Sequence, residues 1–398
     1  MGEELIVAAK EFRDYLMSKR FLMIFAVLIL LSIVGMLAGI ADYNEELDQY
    51  KDRLQQQSSN PAVQQTIADL QKQISDAQDR GAPAGEIDML KQQLSALTNP
   101  SMPSVMHIFR SFNTYFGVVG MILAVSMGFD LISREKEDGS LKSLLTHPVY
   151  RDEVINGKAL GSIAMLVIVL MATFLVTISI MLISGIVPSG NDLIRIPLYF
   201  AASLLYIVAF FAVSLAASVV SKNSGMAILI TIGVIAALVL VPMMSESVVA
   251  FAMGPEPDMT IDTHDVHGSS AGSGSVNVAA GAFPGNFTVR QSFRINEEYT
   301  EYWNKRNQIT DMINIVSPIN DFEKVSEAML DTASASGAVT SISGGPGGKV
   351  MMIGRSLAKT VTLRESVSSV WANILALTVI AIAAMAVAYV KFMRLDIR

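Results

Sequence analysis

The sequence predicts an all-α membrane protein: six transmembrane helices with an N-terminal interfacial helix, an external helical hairpin and a second external domain of mixed or irregular structure. Three observations carry that expectation. Of 398 residues, 52% are hydrophobic and only 16% charged, and the mean hydropathy is +0.45, too apolar for a water-soluble chain of this size. Six apolar stretches are each long enough to cross a hydrocarbon core of about 30 Å at about 1.5 Å per residue. Lysine and arginine are spread unevenly over the segments between those stretches.

The stretches are residues 21–41, 112–132, 159–187, 197–220, 225–244 and 371–390. Within them the one ionised side chain is Asp130, close to the end of the second. With the N-terminus inside, segments 1–20, 133–158, 221–224 and 391–398 fall on the inner side. They hold about 13 of the 29 basic residues, which places both termini in the cytoplasm by the positive-inside rule. The first stretch lacks a small-residue cleavage site and reads as an uncleaved anchor.

Residues 1–20 form a cytoplasmic amphipathic helix. Leu5, Ala8, Ala9, Phe12, Tyr15 and Leu16 share one face with charges opposite, a pattern suited to the membrane interface, with Leu5, Phe12 and Leu16 as its apolar contacts to membrane lipids. A helix packed on other protein has the same pattern, and the two readings are compatible. After transmembrane helix 1 (21–41), residues 42–111 are polar, with apolar positions three and four apart at Leu47, Tyr50 and Leu54, then Val63, Ile67, Leu70 and Ile74, then Ile87, Leu90, Leu94 and Leu97. That spacing predicts an external helical hairpin, broken near residues 58–61 and 81–85. Transmembrane helix 2 (112–132) leads to a cytoplasmic loop at 133–158, then helices 3 to 5 (159–244). An external domain (245–370) with Gly/Ser-rich ends follows, then helix 6 (371–390) and a tail at 391–398. Pro242 is expected to loosen the fifth span near its outer end.

Several function classes are excluded. A net charge of -7 gives nucleic acid no concentrated basic surface to bind. The absence of cysteine removes disulfides, thiolate metal sites and thiol nucleophiles. Residues 341–350 echo a phosphate-binding loop, but Ser343 and Val350 stand where the first Gly and the hydroxyl belong. Asp258, Asp262, His264, Asp265 and His267 lie beside a Gly/Ser run and read as loop, so no metal site and no catalytic residue is assigned. Asn286 opens an N-x-T sequon, a glycosylation acceptor if the host modifies external segments. No buried ionisable network of the kind used by ion-coupled transporters stands out.

The most informative segment is the loop after the second span, EKEDGSLKSLLTHPVYRDEVINGK. Leu141, Leu144 and Leu145 would be exposed on a short amphipathic helix unless covered by membrane or by another protein. The string resembles the corresponding loop of permeases in the ABC-2 type exporter family, in which an acidic pair, Gly-Ser/Thr-Leu, Leu-Leu, Pro, Arg and Gly-Lys recur. The six-span layout, the N-terminal helix and the Ser-Pro stretch at 315–330 are similar as well. The resemblance implies a multi-pass permease of a prokaryotic cell membrane, with no enzyme activity and no cofactor of its own. It would pair as a homodimer, with ATP and Mg held by a separate ABC ATPase subunit. It further implies that the loop is a coupling helix docked on that ATPase, with Glu135, Glu137, Gly139, Leu141, Leu144, Leu145 and Arg151 as the coupling residues. The uncharged spans favour an amphipathic or lipid-like cargo. The alternative is a membrane-anchored sensor or scaffold with external ligand-binding helices.

Overall fold

The computed structural model describes residues 2–82, 87, 90–91, 93–94, 98, 103–140, 150–190, 192–257, 261–265, 275–276, 291–295, 297–330, 333–344, 350–360 and 362–395. Six helices in it have the length and composition to cross a membrane. They are α2 (Lys19–Ser59), α4 (Ile108–Gly128), α6 (Arg151–Ile183), α7 (Asp192–Val220), α8 (Ser224–Met253) and α11 (Leu363–Met393). Six passes put both chain ends on one face of the bundle, here the termini face; the two long inserts emerge on the opposite, insert face.

The helices do not stop where the apolar runs stop. The first run ends at residue 41, yet α2 continues unbroken to Ser59, because nothing before Asn60 and Pro61 interrupts helical geometry. Likewise α8 passes through Pro242 and reaches Met253, ending at Gly254 with φ 81°, a left-handed conformation that glycine adopts without strain. Hydropathy marks the part of a helix that needs lipid, not the length of the helix.

α2 and α4 pack backbone to backbone. A Cβ on Gly39 would lie 2.2 Å from the Ile108 carbonyl oxygen, and one on Gly35 would lie 2.9 Å from Phe112 Cα. Small residues four apart let two helices approach in a bilayer, where close packing rather than hydrophobic transfer drives association. Next to that seam lies an aromatic core of Phe109, Phe112, Phe116, Phe174, Tyr199 and Tyr206.

The expected hairpin forms between the second and third of the segments that the spacing marked. α3 (Pro61–Asp79) buries Leu70 and Ala77 against Leu90, flanked by Ile74, Ile87 and Leu94. Leu47 instead packs on the main core and Leu54 is exposed, since both sit on the rigid extension of α2. In the second insert, β1 (Ile261–Asp265), β2 (Ser275–Val276) and β3 (Gln291–Ile295) make a sheet of order β1-β3-β2, and β4 (Ala333–Gly344) pairs antiparallel with β5 (Val350–Thr360). The segment is mixed, as expected, while the membrane part is wholly helical. Asp262, His264 and Asp265 lie on β1; Asp258, His267 and the sequon at Asn286 lie outside the described residues.

Between β3 and β4 the chain returns toward the membrane as α9 (Glu297–Asn314) and α10 (Pro318–Leu330). Phe322 of α10 stacks on Tyr206 with ring centroids 4.2 Å apart, and also approaches Phe116 and Tyr199. Tyr206 is fourteen residues into α7, about 20 Å below its start. α10 is therefore a re-entrant helix, wedged among α4, α7 and α11.

Candidate coupling junction

On the termini face, α4 turns into the five-residue helix α5 (Ser133–Glu137). The turn is pinned by Ser218 of α7, whose hydroxyl accepts from the amides of Ile132 (3.0 Å) and Ser133 (2.9 Å). Gly139 follows with φ 69°, so the left-handed backbone, not lack of room, calls for glycine there.

The side chains of α5 reach out to the ends of other helices. Glu135 accepts from Lys158 Nζ of α6 at 2.8 Å. Lys136 Nζ donates to the carbonyls of Val219 and Ser221 at the end of α7. Glu137 accepts from the Ser224 amide at 3.1 Å, next to Asn223, which caps the same helix start by accepting from Met226 N. An acid at a helix N-terminus and a cation at a C-terminus both complement the helix dipole. At the far end of the loop, the Arg151 guanidinium donates to Leu395 O (2.7 Å) and Met393 O (3.4 Å), closing the end of α11.

Helix α1 (Gly2–Met17) lies across the start of α6. Gly157 and Gly161 make room: a Cβ on either would come within 2.7 Å of Val7 Cβ and 2.5 Å of Ala8 O respectively. Along this contact Glu11 turns inward and meets Lys158 Nζ. Lys158 has 3% of its side chain exposed and Glu11 9%, so this is a buried carboxylate–ammonium–carboxylate bridge joining α1, α5 and α6. Tyr15 adds a hydrogen bond to Met127 O at 2.7 Å and lies 3.2 Å from the Ser162 hydroxyl. Asp130, the ionised residue seen in the second span, pairs with Arg20 at 2.6 Å.

Four of the seven coupling residues picked out in the sequence are described. Glu135, Glu137 and Arg151 sit in the junction, but their functional atoms face this chain's own helices. Gly139 shapes the exit from α5. Leu141, Leu144 and Leu145 lie outside the described residues. Phe12 of α1 packs on the bundle core, as the second reading of its pattern expected, whereas Leu5 and Leu16 are exposed. The placement of all its charges opposite the apolar face is corrected by Glu11, which lies on the packed side. Glu11, Lys136 and Lys158 were missed, although Gly157-Lys158 stands inside the quoted loop motif and GKALG has the four-residue glycine spacing of a helix contact.

A second place buries charge, on the insert face. Arg195 of α7 is fully buried and donates from Nη1 to Met329 O (3.3 Å), Ala328 O (3.4 Å) and Ser366 Oγ (3.2 Å), capping the C-terminus of α10. Asp321 of α10 is also fully buried and accepts from Asn373 Nδ2 at 2.7 Å. The expectation of no buried ionisable group is therefore corrected: such groups exist, at helix ends and on a re-entrant helix, outside the apolar runs.

Residues 5–397 match the family model of the ABC-2 family transporter protein. The chain belongs to that family. It is a multi-pass membrane protein and the permease component of an ABC transporter, and membership implies partnership with an ABC ATPase. No curated protein matches the sequence. The permease component of such a transporter is generally not itself catalytic, and among the described residues no group of three His, Asp or Glu is placed to hold a metal ion.

Proposed function

We propose that this permease works as an exporter driven by a separate ATPase chain, which holds ATP and Mg and docks on the termini face, the cytoplasmic side. The observation that carries the reading is the junction around α5. One short segment grips the N-terminal helix and α6 through Lys158, α7 through Lys136, α8 through Glu137 and α11 through Arg151. A partner that moves residues 133–151 moves the ends of most spans together, and its ATP-bound form favours whichever state it contacts better.

In this reading Leu141, Leu144 and Leu145 meet the ATPase, while Glu135, Glu137 and Arg151 transmit its motion. Two permease chains pair around the path, and the cargo is amphipathic or lipid-like. The test is co-purification. Leu144→Asp with Leu145→Asp should abolish capture of the partner ABC ATPase while Glu137→Gln retains it, and unaltered capture by the double variant would sink the docking claim. Cargo is read from stimulated ATP hydrolysis by the reconstituted complex.

A further inference from the structure

The termini-side half of the bundle has a lateral groove that neither the junction nor the docking reading uses. Its back is α7, at Leu205, Val208 and Leu215, and its walls are α6 and α11. α11 packs closely on α7 while α6 touches both only lightly, and Ala159 and Ala381 leave the gap between the walls open. The cavity has a volume of about 550 Å³ and its lining is almost wholly apolar.

Its shape selects an occupant. Along α11 it runs from Thr378 to Val390, roughly 18 Å at 1.5 Å per residue, slightly more than half of a hydrocarbon core of about 30 Å. The groove is thus one leaflet deep and stops at mid-membrane. A groove that opens sideways beside the acyl chains and is apolar over about one leaflet's depth offers a hydrocarbon chain contacts along its length. An unfilled apolar slot beside lipid would forfeit dispersion contacts on every wall. At the mouth, Tyr389 lines the opening, and Arg151 bridges from the first turn of α6 to Leu395 just below it. An aromatic hydroxyl and a cation at headgroup depth complement a phosphate ester.

We propose that this groove is a binding site for one acyl chain of a phospholipid from the termini-side leaflet, its headgroup phosphate held near Tyr389 and Arg151. The site lies beside the junction and shares Arg151 with it. An acyl chain seated between α6 and α11 fills the seam between the span that carries Lys158 and the span capped by Arg151, and so sets how far those two can close on each other.

The test uses the full chain reconstituted in vesicles of phosphatidylcholine that contain a phosphatidylcholine with a photoactivatable diazirine in its acyl chain. Labelled positions are mapped by mass spectrometry. Labelling is expected to concentrate at residues 155–163 and 378–390 relative to the lipid-exposed Leu229 and Ile232 of α8. Ala381→Trp, which fills the slot, should lower it about tenfold, the effect of losing roughly ten close carbon–carbon contacts, with α8 labelling unchanged as the check on insertion. Ala159→Trp repeats the block from the opposite wall. Equal labelling of all spans in the unaltered chain, no response to either tryptophan, or cross-links from the groove to a second protein chain would each overturn the proposal.

Discussion

Charge is buried at both faces of the bundle, but it is neutralised by different means. On the termini face Lys158 is held between two carboxylates, Glu11 and Glu135, which belong to different helices. On the insert face Arg195 and Asp321 hydrogen-bond to neutral groups, carbonyl oxygens and Ser366 for the one and the Asn373 amide for the other, while the charges of Asp192 and Lys324 act on them from nearby. Opposite charges in a low-dielectric setting lock position, because separating them leaves each one stranded. Neutral dipoles hold a charge less tightly and let it change protonation state. The first arrangement suits a strut that carries force; the second suits a wedge that can loosen.

The sharpest way to break this comparison is at Lys158. Lys158→Ala strands Glu11 and Glu135 and is expected to cost about 3–5 kcal/mol of stability, measured by thermal unfolding in detergent, with release of α1 seen as new protease cleavage near residue 17. A loss under about 1 kcal/mol would show that water already reaches the bridge. Next in size is Arg195→Ala, expected to lose about 1.5–3 kcal/mol as the α10 carbonyls lose a charged donor. Third is Gly161→Leu, whose side chain would collide with the Ala8 carbonyl and push α1 off α6 at a cost of about 1–3 kcal/mol. Gly117→Ala, where nothing lies within 4 Å of the new Cβ, is the matched control and should be neutral or slightly stabilising.

How much of this was legible depended on whether the information was local. Apolar length and the basic residues near span ends specify the six helices, since each signal lies within about 20 residues. The Lys158–Glu11 contact spans 147 positions, and no periodicity connects them. Glu11 was obscured because it interrupts the packed stripe of α1 between Val7 and Tyr15, where a charge looks misplaced until its partner is seen. Asp321 lies on a thirteen-residue helix too short to be searched as a span. Glu135, Glu137 and Arg151 were found as a motif, but a motif does not say which way a side chain turns, and these turn into the bundle.

The unbroken run of α2 gives the insert a mechanical property. Forty-one residues without a break make a rod about 60 Å long, with its lower end beside Arg20 and the junction, and its tip at Ser59. A tilt of about 5° at the base would carry the tip sideways by about 5 Å, as far as one helical turn rises. A fluorophore placed at the tip of α2 would therefore magnify motions too small to follow at the junction, and anything bound to the hairpin would feel them as a displacement.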